Sequence, residues 1–374
     1  MESPKVSLIV VNYNGASKFK ELLLDCVRSV AETNYPNFEV IFVDNASVDS
    51  SGELIEQNFP NVRVLRLPAN VGYAGAANAG LAHASGDIIG ILNNDLVVTP
   101  DWLNPLVDLL ARRPDIGIVS PALLRDSSTV DSLGGEVNVL LVSWDSRANE
   151  PAKGAIRDDK PIFVLSPPGA AFLFRRELLK ELDNRIFDPD YFAYYEDVAL
   201  GLECNLMGHK VAVVPESRIV HKRGSSWGLI SPMKVFLFRR NSIWTGITVF
   251  DPVQMILMLP TWIASTFYGG VVYYRMTGDP AYLKVSFKAL FALATSFRKA
   301  WQKHLWFKSR KVVPIQSIGL TPFLILDTDK ETLFSRFALG VINLSVYFAG
   351  LWRYRITSIV RYPLLDRILL VERR

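Results

Sequence analysis

The sequence predicts an α/β fold, a mostly parallel sheet flanked by helices, followed by a helical C-terminal region. Three observations predict it. First, short apolar runs rich in Val and Ile end in Asn or Asp: Val6 to Val11 before Asn12, Val40 to Val43 before Asp44, and Ile88 to Leu92 before Asn93-Asn94-Asp95. Uninterrupted apolar runs suit strands covered on both faces, as parallel strands are. Second, segments of helical spacing separate the runs, and such alternation implies right-handed crossovers within one sheet. Third, the chain changes character after about residue 228, and Val253 to Tyr274 carries no charge at all.

The elements follow in order. Val6 to Val11 is a strand, and Phe19 to Ala31 a helix with Leu22, Leu23, Cys26, Val27 and Val30 on one side. Glu39 to Asp44 is the second strand; Ser47 or Asp49 can cap a helix near Val48 to Asn58. Val62 to Leu67 is the third strand. The Gly- and Ala-rich turn from Asn70 to Gly75 opens a helix reaching His83, and the fourth strand ends at Asp95. Pro100 sits near the first turn of a helix at Trp102-Leu103. Leu124 to Asp159 reads as irregular and polar, a hairpin and a mobile loop. A helix is expected from about Pro168 to Leu182, another over Asp197 to Met207, and a short strand over Val211 to Pro215. The expected domains are residues 1–228, catalytic, and 229–374, helical and membrane-associated.

Composition narrows the class. Of 374 residues, 49% are hydrophobic, and mean hydropathy is +0.19. The two cysteines fall in helix-like patterns, which argues against a disulfide framework. The first residues do not resemble a signal peptide, so the catalytic part is expected at the cytoplasmic face of the membrane. As a helix, Val253 to Tyr274 is about 33 Å long, enough to span a bilayer core, with Pro260 and Gly269-Gly270 expected to kink it. A helix lying in the interface is the alternative. Pro280 to Leu326 holds eight Lys and Arg and no acid, together with Trp301, Trp306 and Phe307; this favours a membrane surface over nucleic acid. Phe337 to Trp352 is a second, shorter apolar segment.

Several side chains could carry chemistry. Ligands of open α/β sheets gather at the carboxyl ends of strands, where Asn12, Asp44 and Asp95 fall. A carboxylate at Asp95 can hold a divalent cation, and the cation a diphosphate. Asp44 can accept a hydrogen bond from a uracil or thymine ring, or merely cap a turn. Asn70, Gly72, Gly75 and Asn78 form a tight turn into a helix start, which suits an anionic ligand. No P-loop or dinucleotide fingerprint occurs. Glu196 and Asp197 follow an aromatic cluster, Tyr191 to Tyr195, that could stack on sugars or form core; one of the two acids suits a general base. His221, beside Lys222 and Arg223, could complete a site for Mn²⁺ or Mg²⁺ begun by Asp95.

In this order, Asn12-Tyr13-Asn14-Gly15, Asp44-Asn45-Ala46-Ser47, Asn70-Val71-Gly72-Tyr73, Asn93-Asn94-Asp95, Gly169-Ala170-Ala171-Phe172, Glu196-Asp197 and His221 resemble the motifs of family 2 inverting glycosyltransferases of the Rossmann-like GT-A fold. The similarity is greatest to the rhamnosyltransferase-like branch that builds cell-envelope polysaccharides. The resemblance covers about residues 5–228 and implies specific roles. Asp44 holds the base, Asn12 frames the nucleotide, and Asn93 contacts the ribose. Asp95 and His221 ligate Mn²⁺ or Mg²⁺, Asp197 is the catalytic base, and Gly169, Ala170 and Glu196 border the sugar and acceptor. The implied donor is a dTDP- or UDP-linked sugar, with rhamnose the leading expectation, and the implied acceptor a glycan or polyprenyl-linked glycan. The family often places an acid two residues beyond the base; here Ala199 stands instead. Two alternatives are a sugar-1-phosphate nucleotidyltransferase, whose Gly-rich N-terminal loop ending in Arg and Lys is missing, and a catalytically impaired membrane scaffold.

Overall fold

The computed structural model describes residues 3–157, 160–223, 231–320, 323–325, 342–349, 351 and 358–360. The chain divides into two compact units, one of residues 1–135 with 144–226, the other of 136–143 with 227–374.

The first unit is built on one sheet. Its elements begin with β1 (Val6–Asn12), α1 (Gly15–Ala31), β2 (Phe38–Asp44), α2 (Ser51–Asn58), β3 (Arg63–Arg66), α3 (Gly72–His83), β4 (Ile88–Asn93) and β5 (Leu96–Val97). They continue with α4 (Leu103–Arg112), β6 (Ile116–Leu124), β7 (Val130–Ser132), then β8 (Gly135–Val137) and β9 (Ser143–Asp145), a separate two-stranded pair of which residues 136, 137 and 143 belong to the second unit, and next α5 (Ala152–Ala155), β10 (Ile162–Val164), β11 (Ala171–Arg175), α6 (Glu196–Leu206) and β12 (Lys210–His221). The sheet order is β10-β12-β6-β11-β4-β1-β2-β3, with β5 paired to β12 and β7 to β6. All seven residues of β1 are buried between parallel neighbours β2 and β4, which explains its lack of polar alternation. The register pairs Asn12 with Asp44 and Val11 with Asn93, so the polar residues that end these strands share one sheet edge. Trp102, 1% exposed, anchors the core beside α4 and donates its indole N–H to Thr33 Oγ1 at 3.0 Å.

Three expectations need correction. The helix expected from Pro168 is instead strand β11, antiparallel to both β4 and β6, followed by a 3₁₀ turn at Arg176–Lys180. Its apolar run is buried because it fills the gap between two parallel halves. The strand expected at Val211 to Pro215 runs on to His221: β12 pairs parallel with β6, shifts register between Val214 and Arg218, and then turns antiparallel to β5. The stretch after Leu124 is not an open loop. Leu124, Val130, Leu133, Ala152, Ala155 and Ile156 bury one another in a small core of their own.

The second unit contains α7 (Pro232–Val249), α8 (Pro252–Thr277) and α9 (Ala281–Lys308). Asp251 caps α8 through a reciprocal capping box with Gln254. Helix α8 continues through Pro260 and Gly269-Gly270. The two glycines serve close packing: a Cβ on Gly269 would strike the Arg239 guanidinium, and one on Gly270 would strike Ser286 Oγ. One face of α8 buries Met255, Met258, Trp262 and Thr266, with Phe250 set edge-on to Trp262 at 5.2 Å. Val253, Ile256, Tyr268, Val271 and Tyr274 stand exposed, and α9 exposes Phe287, Phe291, Phe297 and Leu305. Among the described residues, Pro252–Thr277 is the one helix long and apolar enough to cross a membrane. Of the apolar segment expected at 337–352, residues 342–349 and 351 are described, with 342–348 helical; the rest lies outside the described residues.

Candidate functional site

The site lies along the sheet edge where β1, β2 and β4 end. Asn94 Nδ2 donates to Asn12 Oδ1 at 2.6 Å, and Asn12 Nδ2 in turn lies 3.4 Å from Asp44 Oδ1 and 3.2 Å from Ser47 Oγ. Asn94, for which the sequence suggested no task, thus orients Asn12 toward Asp44. The short Gly15 allows this, since a Cβ there would press on both amides. Ser47 closes the cradle by accepting from the Asn14 N–H at 2.9 Å, while Asn14 Oδ1 accepts from Val48 N–H at 2.9 Å. Asp44 itself is 5% exposed.

The turn into α3 is tied to the same edge. Asn45 Nδ2 donates to Asn70 Oδ1 at 3.0 Å, and Asn45 Oδ1 accepts from Val71 N–H at 3.0 Å. Gly72 adopts φ +76°, and a Cβ there would strike the Phe192 carbonyl, so this position demands glycine. Asn70 and Gly72 therefore shape the helix start. Asn78, expected beside the nucleotide, is occupied elsewhere. Its Nδ2 donates to the Phe187 carbonyl at 2.7 Å, and its Oδ1 accepts from Ile186 N–H at 3.0 Å and Phe187 N–H at 3.3 Å. Nearly two turns into α3, its amide faces the 186–187 backbone rather than the helix start.

The segment before α6 is bent sharply. Phe192 has φ 64° and ψ −65°, and Ala193 N–H donates to the Tyr191 carbonyl at 2.8 Å, a strained γ-turn. Tyr194 and Tyr195 also have positive φ, at 65° and 75°. Three such residues within four positions lead directly into Glu196 and Asp197. Asp197 Oδ1 accepts from Val198 N–H at 2.8 Å, and the Gly169 N–H also bonds its carboxylate. A Cβ on Gly169 would collide with Asp197 Oδ2, so Gly169 is the floor on which this carboxylate rests. Ala170 follows it, its carbonyl accepting from Asn93 N–H at 2.8 Å. The link from strand end to Asp197 is thus a backbone one.

Burial pushes the carboxyl of Asp197 upward, and burial together with Asp197's charge does the same to Glu196. Glu196 is 8% exposed, and its Oε2 has no hydrogen-bond partner among the described residues. The Tyr73 hydroxyl donates to the Gly169 carbonyl at 3.3 Å. Its own ionisation is pushed well up by burial and then by the charges of Glu196, Asp197 and Asp95.

His221 reaches Asp95 through strand pairing, since the antiparallel register of β12 on β5 sets His221 opposite Leu96. His221 Nε2 lies 3.3 Å from Asp95 Oδ1, an ion-pair contact, and among the described residues that buried oxygen has no other hydrogen-bond partner. His221 Nδ1 is 2.7 Å from Asp131 Oδ2. Burial alone would lower the imidazole pKa, but Asp131 and Asp95 outweigh it and raise it to about 9. Asp131 is 1% exposed, with Arg223 and Arg125 on its Oδ1. Burial raises its carboxyl, but the His221 hydrogen bond and the Arg223 charge prevail, bringing it to about 2. The sequence reading missed Asp131 altogether. Its one signal was the apolar–polar alternation of Val130-Asp131-Ser132-Leu133, which suggests a strand but no partner.

The residues present fit a divalent cation. Two ligands at about 2.1 Å and at right angles lie about 3.0 Å apart, close to the 3.3 Å between Asp95 Oδ1 and His221 Nε2. Burying a carboxylate oxygen with so few hydrogen bonds is itself costly, and a cation there would offset that cost. Among the described residues no set of three or more His, Cys, Asp or Glu is poised to hold a metal. A two-residue site suits an ion that keeps places for phosphate oxygens and water.

Comparison with known proteins agrees with this architecture. The model of glycosyl transferase family 2 matches residues 7–183. The N-acetylglucosaminyl-diphospho-decaprenol L-rhamnosyltransferase of Mycobacterium tuberculosis is 30% identical over 213 residues, 50% of this chain and 68% of that protein. The O-antigen biosynthesis protein RfbC of Myxococcus xanthus is 31% identical over 238 residues, 60% of this chain but only 18% of RfbC. Among solved structures, GalNAc-T7 with UDP, GalNAc and Mn²⁺ superposes with a TM-score of 0.53 at 19% identity, covering 82% of this chain and 56% of that one. The sheet and its helices have the GT-A fold. By sequence and by fold, the chain belongs to glycosyl transferase family 2.

Proposed function

We propose that this chain is an inverting glycosyltransferase that moves a sugar from a nucleoside diphosphate donor to a hydroxyl of a glycan or lipid-linked glycan. The observation that carries this reading is the linked sheet edge: Asn12 lies against Asp44, and Asn93 N–H bonds the carbonyl of Ala170, next to the Gly169 on which the Asp197 carboxylate rests, with Asp95 two residues beyond Asn93. Asp44 and Asn12 receive the base of the nucleotide, and Asn93 contacts the ribose. Asp95 and His221 would hold Mn²⁺ or Mg²⁺, which when bound supplies positive charge against the diphosphate. Asp197 accepts the proton of the acceptor hydroxyl. The acceptor oxygen bonds to the anomeric carbon as the bond from that carbon to the diphosphate oxygen breaks, so configuration inverts in one displacement. Glu196, held mostly neutral by its surroundings, leaves the pair with a single strong base at neutral pH.

The similarity to a rhamnosyltransferase favours dTDP-rhamnose as donor, with UDP-sugars next, and a polyprenyl-linked acceptor. A thermal-shift panel of nucleotide sugars with Mn²⁺ tests this, because a ligand that binds only the folded state raises its melting temperature. The active donor should also release a nucleoside diphosphate. Release of pyrophosphate instead would indicate nucleotidyl transfer and defeat the reading.

The bare apolar face of α8, the exposed Phe287 and Phe291 of α9 and the acid-free basic stretch around them suit an anionic lipid surface. The chain should pellet with vesicles containing phosphatidylglycerol, and a Phe287→Asp, Phe291→Asp pair should weaken this. Equal recovery in the supernatant with and without vesicles would refute a membrane role.

A further inference from the structure

We propose that Asp131 is a positioning residue that fixes the tautomer and ring orientation of His221, so that Nε2 faces a divalent cation beside Asp95. The inference rests on the metal reading of Asp95 and His221. Strand pairing brings the two side chains together. Leu124, near the end of β6, pairs with Val130 of β7 on one side and Val220 of β12 on the other. The next residues in each strand are Asp131 and His221, and they meet at 2.7 Å.

The chemistry gives the contact a direction. Asp131 sits buried against two guanidinium groups, Arg223 and Arg125, and Arg223 is shared with Asp145 at 2.9 Å. A carboxylate so surrounded is ionised and can only accept, so Nδ1 of His221 must carry the proton. When the ring is neutral, Nε2 then holds the free lone pair. This is the arrangement by which a carboxylate behind a histidine sets its ligating nitrogen and raises its basicity. Oδ1 of Asp95, 3.3 Å away, marks the place Nε2 faces. Two arginines would suffice to neutralise Asp131; the histidine contact adds orientation.

Mn²⁺ affinity, measured by electron paramagnetic resonance with UDP and with dTDP in parallel, tests the proposal without depending on turnover. Asp131→Asn should weaken Mn²⁺ about 10- to 100-fold. Asp131→Glu keeps the charge for both arginines but displaces the carboxylate, and should also bind Mn²⁺ more weakly while melting close to wild type. Arg125→Gln disturbs the same corner without touching His221; it should melt earlier and bind Mn²⁺ normally. Wild-type affinity in both folded Asp131 variants, or equal weakening in Arg125→Gln, would overturn the assignment. Absence of Mn²⁺ binding in wild type would instead remove the metal reading beneath it.

Discussion

Asp197→Asn should lower glycosyl transfer by about 10²- to 10⁴-fold, the usual contribution of a general base, while donor binding by thermal shift stays intact. The same variant should melt higher than wild type near pH 8. The sign follows from burial, which raises the carboxyls of Asp197 and Glu196 in the folded chain. A group with a raised folded pKa contributes stability below its ordinary unfolded value, and that contribution is lost as pH rises through the folded value. At neutral and alkaline pH the wild-type pair is therefore a liability, and the amide removes one charge from it. At about pH 4, near the ordinary carboxylate range, the two melting temperatures should converge. For wild type, the acid limb of kcat/KM should lie above the ordinary range of aspartate, because activity requires the ionised base. Near-normal turnover in Asp197→Asn, measured alongside its melting curve, would remove Asp197 from the mechanism.

Chelation should have an effect of similar size. EDTA should reduce transfer at least about 100-fold, in keeping with several kcal/mol of charge stabilisation from a bound cation, and Mn²⁺ should restore it. Asp95→Ala should be equally impaired but should not recover with added Mn²⁺, since it deletes the Oδ1 that faces His221. Nucleoside diphosphate release in the two cases separates a missing ion from a missing ligand. Full activity in EDTA would disprove the metal role of both Asp95 and His221.

Much of the fold was legible because parallel strands announce themselves. The runs ending at Asn12, Asp44 and Asn93 are buried on both faces, so apolar content alone marks them and their polar ends mark the sheet edge. Strand β11 was harder. Ala171-Phe172-Leu173-Phe174 is equally apolar, but four residues are too few to distinguish strand from helix, and its antiparallel insertion depends on partners far away in sequence. Asp131 was invisible for a related reason. Nothing local distinguishes a buried acid from a turn acid; its partners are at positions 125, 221 and 223, and only the pairing of β6 with both β7 and β12 collects them. Asn78 shows the converse error, since a polar residue near a glycine-rich turn was read as ligand-facing when its amide secures the 186–187 backbone.

The doubly paired β12 carries a consequence for synthesis. Asp95 leaves the ribosome about 125 residues ahead of His221, a lag of roughly 6 to 25 seconds at about 5–20 residues per second. During that interval β1 to β4 can already pair and Asn12, Asp44 and Asn94 can meet, because the contacts among them lie earlier in the chain. On the proposed roles, affinity for a nucleotide base can therefore precede affinity for a cation within one nascent molecule. On the same reading, the part of the site proposed to grip the diphosphate matures last, when β12 turns back on β5.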